Sequence, residues 1–216
     1  MPPEPIIITR LCGIAGILGA LTTGLGDLLY NHLPGSKQTL YEKMSAFPQK
    51  RLVTAGILGL FGSWLYFFSV FHLYYAFLSV GNLFALAVSI SFTLVAIAYG
   101  VAHASYYAIG SNAKIARDNQ SDVEAAGKLG EALYSKIVLI TYLPVALASL
   151  LMVYGVISGR SAYPRWVALF LPIVLYLLRV PILKVVRGRL HELVRDSYDN
   201  FILLVFFTIS TIVLWG

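Results

Sequence analysis

Residues Leu83–Ile109 read LFALAVSISFTLVAIAYGVAHASYYAI and contain no aspartate, glutamate, lysine or arginine. A helix needs about 20 apolar residues to cross the hydrocarbon core of a bilayer, so this stretch is long enough to span it. Its apolar residues run continuously and do not alternate with polar ones, which favours a helix over a strand of a β-barrel. The stretch therefore predicts a transmembrane helix that carries one histidine, His103.

Five other apolar stretches follow the same pattern. With the first one, the predicted spans are Ile6–Tyr30, Leu52–Leu78, Leu83–Ile109, Lys136–Ile157, Trp166–Val186 and Asn200–Trp215. Of the whole chain, 58% is hydrophobic and only 12% is charged, about half the charged fraction of a soluble domain. We therefore predict an all-α fold, a polytopic membrane helix bundle of six transmembrane helices, in a single integral membrane domain over residues 1–216.

Basic residues fall mainly in the loops after the first, third and fifth predicted spans. Twelve lie there: Lys37, Lys43, Lys50, Arg51, Lys114, Arg117, Lys128, Lys136, Lys184, Arg187, Arg189 and Arg195. The opposite side holds only Arg10, Arg160 and Arg165. The positive-inside rule then predicts that these three loops are cytoplasmic and that both termini lie outside. The net charge of +6 follows from this topology, so we expect no nucleic acid as a partner.

The long cytoplasmic connections mix charged and apolar residues. The stretches 39–49, 113–133 and 184–198 are each either a short helix on the inner leaflet or a solvated loop.

Asp27 lies near the cytoplasmic end of the first predicted span. Small residues precede it at spacings of three and four, namely Gly16, Ala20, Thr23 and Gly24. Such a stripe lets another helix approach closely, so we expect Asp27 to point into the bundle. An ionisable group at this depth costs a few kcal/mol unless it is paired or hydrated. Asp27 is therefore a candidate functional group, although it could also reach the interface or cap the end of its helix.

His103 is the second candidate, because a histidine inside a membrane helix can donate a proton, accept one or bind a metal. Tyr99 and Tyr107 lie one turn away on the same face, so a tyrosine hydroxyl could equally satisfy a neutral His103. No second metal ligand stands at a suitable spacing, and the single cysteine, Cys12, makes no redox pair. We expect neither a metal nor a cofactor.

Further polar and aromatic residues reach the same half of the membrane. Arg179 either extends to the headgroups or holds an anionic group, and Asn200 opens the sixth predicted span. Trp64 and Tyr66 lie too deep for an interfacial aromatic belt, so we expect them to line a cavity. Whether these groups face one another does not follow from periodicity.

Three short motifs give a resemblance to a known family. Gly26-Asp27-Leu28-Leu29-Tyr30, Ala102-His103-Ala104-Ser105-Tyr106-Tyr107 and the Asn200 of the last span resemble those of an uncharacterised bacterial family of small polytopic inner-membrane proteins. The resemblance covers the whole chain and implies no activity.

Three functions fit these residues. The first is an intramembrane enzyme for a lipid-like or isoprenoid-like substrate, with Asp27 and His103 as its acid–base pair. Its substrate-binding residues would be Tyr107, Arg179, Asn200, Tyr66 and Trp64. The partners expected are membrane lipids and a small hydrophobic molecule.

The second function is a proton- or solute-conducting transporter or channel, for which a homo-oligomer would be expected. The third is a non-catalytic factor that binds a lipid or a partner helix and has a packed interior. A pocket closed toward the outside at His72 would favour the enzyme, and a continuous path from His103 to His72 would favour transport.

Overall fold

A computed structural model describes residues 3–36 and 38–215, with side chains from Ile7 onward; Lys37 lies outside the described residues. The described residues form helices and no strand, which confirms the all-helical fold. The α-helices are α1 Pro3–Asn31, α2 Leu40–Ala46, α3 Gln49–Phe77, α4 Asn82–Asp118, α5 Val123–Ile157, α6 Pro172–Leu177, α7 Arg179–Val185, α8 Gly188–Asp196 and α9 Tyr198–Val213. Short 3-10 helices occupy Leu78–Val80 and Arg165–Phe170.

Four helices, α1, α3, α4 and α5, are long and apolar enough to cross a membrane. A fifth span is added when α8 and α9, which are bent by 96° relative to each other, are taken as one broken span. These helices support a membrane protein with four to five spans in the described part of the chain. The predicted count of six and the predicted orientation stay predictions.

The fifth predicted span is broken into pieces. A 3-10 helix, α6 and α7 follow one another between Arg165 and Val185, and each is far shorter than a bilayer crossing. Proline explains one break, because Pro172 lacks the N–H of a continuing helix and holds Leu171 in an extended conformation (φ −62°, ψ 143°). The second break falls at Leu178, two residues before Val180-Pro181.

The broken segment nevertheless runs antiparallel to α9. Tyr163, just before it, is hydrogen-bonded to Ser210 near the end of α9, with the two hydroxyl oxygens 2.6 Å apart. At the other end, the Tyr198 hydroxyl donates to the carbonyl of Leu175 over 2.6 Å. The segment therefore covers most of the length of α9 without being one straight helix.

Two of the three connections contain a short helix. Residues 39–49 hold α2, which begins with a capping box between Thr39 and Glu42, and residues 184–198 hold α8. Residues 113–133 instead form the ends of α4 and α5, which are joined by a turn at 119–122. The helices α4 and α5 are therefore longer than the spans predicted for them.

The small-residue stripe of α1 is confirmed as a closely packed face. A Cβ atom added to Gly16 would lie 2.4 Å from the ring of Phe207 on α9, and one added to Gly24 would lie 3.4 Å from the Cβ of Asn200. Ala20 and Thr23 are buried between these two positions. The helices α1 and α9 therefore meet along the face that carries Asp27.

Substitution of Gly16 by alanine is expected to destabilise the fold by about 1–3 kcal/mol, because the added methyl group overlaps the Phe207 ring. Gly24→Ala, on the same face, is the matched control and should cost less, since its methyl group meets Asn200 at an ordinary contact distance. Thermal unfolding of both variants in the same detergent measures the difference. Equal midpoints for the two variants would contradict the close α1–α9 packing.

Candidate functional site

Asp27 and His103 contact each other directly. Asp27 comes from α1 and His103 from α4, and the Asp27 Oδ1 and His103 Nε2 atoms lie 3.0 Å apart. The Asp27 side chain is 22% exposed and that of His103 is 9% exposed. The two groups whose mutual orientation could not be derived from periodicity thus form a pair, and Asp27 is its more accessible member.

The other ring nitrogen of His103 determines where the protons lie. Its Nδ1 is 3.0 Å from the carbonyl oxygen of Tyr99. A carbonyl can only accept, so Nδ1 carries a hydrogen and donates it. The contact between Nε2 and Asp27 then also requires one hydrogen, since two lone pairs would repel each other. Asp27 and His103 therefore share a proton that either group can carry.

Asn200 holds the second oxygen of Asp27. Its Nδ2 donates to Asp27 Oδ2 over 2.6 Å, while its Oδ1 accepts from the hydroxyls of Tyr66 and Thr23. These two donors fix the orientation of the Asn200 amide, so that only its NH2 group can face Asp27. Asn200 thus positions Asp27 from α9, as His103 does from α4.

Glycine creates the space that His103 occupies. A Cβ atom added to Gly59 on α3 would lie 2.3 Å from the His103 Cγ atom, which is closer than any real contact. The backbone of His103 is held as well, because the Tyr30 hydroxyl donates to its carbonyl over 3.1 Å. Ring and backbone are therefore fixed by two different helices, α3 and α1.

The Asp27–His103 pair faces a cavity of about 720 Å³. The cavity lies between α4, α5, α6 and α9. Residues of α1, α2, α7 and α8 line its polar end. Its polar lining residues include Asp27, Asn31, Lys43, His103, Tyr106, Tyr134, Arg179, Arg195, Asp196, Asp199 and Asn200; its apolar ones include Phe92, Val95, Val145, Ala148, Met152, Leu171, Ile202 and Leu203.

Polar and apolar lining residues occupy different ends of this cavity. On α4 the lining runs from Phe92 to Tyr106, which is about 21 Å along a helix. His103 and Tyr106 lie at one end of that distance, and Phe92 and Val95 lie at the other. On α5, Tyr134 and Met152 show the same order. The cavity is therefore amphipathic along its length.

At the apolar end of the cavity, Phe92 belongs to a cluster of packed aromatic rings. Tyr66 stacks on Phe207, and Phe92 packs edge-on against both; the three side chains are at most 5% exposed. Beyond this aromatic layer, His72 is fully buried, with Nδ1 2.9 Å from the carbonyl of Thr9 and Nε2 2.6 Å from the Ser210 hydroxyl. His72 does not line the cavity.

The remaining predicted site residues divide into two groups. Arg179 lines the cavity, and its guanidinium lies over the ring of Tyr198 at 5.0 Å. Tyr107 instead contacts Gln49, outside the cavity lining. Tyr66 lies in the buried network behind Asn200. Trp64, expected to line a cavity, is 57% exposed on the outer surface, because α3 turns that face away from the bundle.

Several lining residues escaped sequence reasoning. Tyr106 lies three residues after His103, so helical spacing could have placed it on the same face, as it placed Tyr99. Tyr134 precedes the start predicted for the fourth span, and only the true length of α5 brings it to the cavity. Asp199 faces the cavity, yet neighbouring Asn200 was the residue chosen.

In the part of the chain that the structure describes, no three His, Cys, Asp or Glu side chains gather as ligands for a metal ion. The site is thus built from one acid–base pair, hydrogen-bonding tyrosines and scattered charges.

The model of a family of unknown function, DUF6796, matches residues 6–215, so the chain belongs to this family. No curated protein and no solved structure matches the chain significantly. The expected membership in an uncharacterised family is therefore confirmed, whereas its bacterial origin and its motifs stay predictions.

The Asp27–His103 contact predicts coupled effects on stability. Asp27→Leu and His103→Leu each leave the other group in a poorly hydrated site without its partner, whereas the double variant removes both. We expect the double variant to be about 1–3 kcal/mol more stable than the sum of the two single effects predicts. A double-mutant cycle of unfolding in detergent measures this coupling, and strictly additive effects would contradict the pairing.

Proposed function

We propose that this protein is an intramembrane enzyme that acts on a lipid-like or isoprenoid-like substrate by acid–base chemistry. The carrying observation is a proton-sharing Asp–His pair, held from both ends, that opens onto an amphipathic cavity. A polar head of the substrate would lie beside the pair, and its apolar tail would lie along the Phe92 and Met152 end. The tail then replaces contacts with lipid by contacts with protein.

Asp27 is the group proposed to exchange a proton with the substrate. Each carboxylate oxygen already has one partner, but a carboxylate offers about four acceptor positions, so a substrate O–H or C–H can still approach. His103 acts through Asp27: it takes or returns the shared proton as the charge of Asp27 changes. Isomerisation, cyclisation and hydrolysis all need this proton exchange.

Asn200 and the tyrosines have separate proposed roles. Asn200 positions Asp27 with one N–H of its amide, and the second N–H can donate to the substrate, since Asn200 also lines the cavity. Tyr106 lines the cavity, and its hydroxyl donates to Asn31, so it can still accept a hydrogen bond from a substrate. It thus takes the orienting role that was first expected for Tyr107.

The proposed topology has six membrane segments, with both termini outside and the polar end of the cavity on the cytoplasmic side of an inner membrane. The excess of twelve basic residues over three supports this orientation. The antiparallel course of the broken segment beside α9 supports counting both of them as crossings. Arg51 lies at the start of α3, and its guanidinium donates to the carbonyls of Leu29 and His32 at the end of α1. This contact supports an antiparallel order of α1 and α3.

Transport is the alternative that the aromatic layer disfavours. A conducting path would have to pass from His103 to His72 between Tyr66, Phe92 and Phe207, which pack against one another. Non-catalytic lipid binding would use the same cavity but has no need of a proton shared between Asp27 and His103. The chemical state of a bound lipid separates this function from the enzyme.

Asp27→Asn should bind the substrate but not convert it, since an amide cannot exchange the proton. Native mass spectrometry of the wild type and the variant, each purified with its membrane lipids, identifies the bound molecules. We expect the variant to carry the unconverted form, and turnover of that molecule to fall by about 10²–10⁴-fold. Asp118→Asn is the matched control, because Asp118 lies in an exposed ion pair with Lys114 away from the cavity.

If the wild type and Asp27→Asn carry the same molecule in the same chemical form, and turnover is equal, the enzyme is excluded and lipid binding remains. If neither protein carries a small amphiphile, both functions are excluded.

Vesicles that contain the purified protein should not conduct protons faster than empty vesicles, because the aromatic layer interrupts the path. A pH-sensitive dye inside the vesicles measures this flux after an imposed pH step, with a potassium ionophore to balance charge. Flux that depends on both His103 and His72 would instead establish the transporter.

A further inference from the structure

The charged side chains that line the cavity differ in whether they already have a partner. Asp27 and His103 hold each other. Lys43 donates to the carbonyl of Asn31, and Arg195 and Asp196 form an ion pair. Two charged residues remain among the described residues of the lining, and both are free of hydrogen bonds and ion pairs. They are Arg179 and Asp199.

Arg179 is held in the cavity wall by an aromatic ring. Its guanidinium lies 5.0 Å from the centre of the Tyr198 ring, a cation–π contact that fixes the charge without using its N–H donors. An arginine that merely reached for the headgroup layer would extend past the ring into solvent. The free donors of Arg179 instead form a fork suited to the oxygens of a phosphate or carboxylate.

Asp199 follows Tyr198 directly and is exposed to the cavity. Its position in the first turn of α9 is favourable for a negative charge near a helix N-terminus. That effect explains why an acid is tolerated there, but not why it faces the cavity without a donor. Tyr142 and Tyr176 line the same cavity, and tyrosine is a residue type that can contact a cation through its ring.

We propose that the substrate headgroup is zwitterionic, with a phosphate-type anion on Arg179 and an ammonium group on Asp199. Opposite charges on adjacent parts of the cavity match opposite charges on adjacent parts of a headgroup such as phosphoethanolamine. A purely anionic headgroup would gain from Arg179 but would be repelled by Asp199. The headgroup assignment rests on the proposed function above, because the substrate's reacting part must lie beside Asp27.

Titration of the full-length protein in detergent with lipids of matched acyl chains tests the headgroup. Native mass spectrometry gives the dissociation constants of phosphatidylethanolamine, phosphatidylglycerol and diacylglycerol. We expect phosphatidylethanolamine to bind roughly tenfold or more tightly than either of the others, since each charged contact contributes about that factor.

Variants separate the two charges. Arg179→Gln should weaken binding of both phospholipids roughly tenfold, and Arg179→Lys should recover part of it. Asp199→Asn should weaken phosphatidylethanolamine alone and leave phosphatidylglycerol unchanged or bound more tightly. Arg187→Gln and Asp118→Asn, which change exposed charges outside the cavity lining, are the matched controls and should have no effect.

Soluble glycerophosphoethanolamine distinguishes a lipid from a free headgroup. It should compete at least tenfold more weakly than the lipid, because it lacks the tail that packs at the apolar end. Equal affinity for the soluble headgroup would overturn a lipid substrate. Equal affinity for phosphatidylglycerol, with no loss on Asp199→Asn, would overturn the zwitterionic headgroup.

Asp27→Asn keeps this test independent of catalysis. The variant should bind phosphatidylethanolamine as the wild type does, since both headgroup contacts remain. If turnover is unaffected by Asp27→Asn while the headgroup pattern holds, the proposed enzyme fails and the binding site stands. If the headgroup pattern fails while Asp27→Asn abolishes turnover, the zwitterionic headgroup fails and the proposed enzyme stands.

Discussion

A carboxylate within an apolar helix bundle must be given partners, and the arrangement around Asp27 follows from that requirement. Its two oxygens are met by His103 from α4 and by Asn200 from α9. Asn200 in turn needs the hydroxyls of Tyr66 and Thr23 to satisfy its own oxygen. One costly group thus determines the relative positions of α1, α3, α4 and α9, because each helix contributes a hydrogen-bond partner at the same level.

The hydrogen-bond network around Asp27 has closely packed helices on one side and the cavity on the other. Glycines let α1 and α3 approach so closely that a Cβ atom added to Gly62 would lie 3.0 Å from the carbonyl oxygen of Gly19, and Gly16 gives α9 similar access to α1. The helix α5 has no such face toward α9; only 11% of its most apolar window is buried, against 33–44% for the other three long helices. The cavity lies where α5 stands away from α9, so small residues on some helices and their absence on others set its place.

Sequence reasoning succeeded where composition or depth decides the result. Long apolar runs were enough to predict helices, and the depth of Asp27, His103 and Asn200 was enough to predict one polar layer. It failed where the result depends on the rotation of a helix about its axis or on whether a helix is continuous. Trp64 has the depth of a cavity residue, but it lies on the outward face of α3. Pro172 and the break after Leu177 divide a stretch whose hydropathy is that of a single span.

His72 and His103 lie toward opposite ends of the bundle and have different surroundings. This difference bears on how a substrate would reach the site. His72 has partners on both ring nitrogens and no accessible surface, as in a group that joins helices. His103 also has partners on both nitrogens, but its partner Asp27 is exposed to a cavity. Packed aromatic rings lie between His103 and His72, which leaves the polar end and the side beside the little-buried α5 as routes to the cavity. An amphiphile already dissolved in the bilayer can take the sideways route without leaving hydrocarbon, and a water-soluble molecule cannot. A sideways route and the apolar part of the lining both suit the lipid-like substrate proposed above.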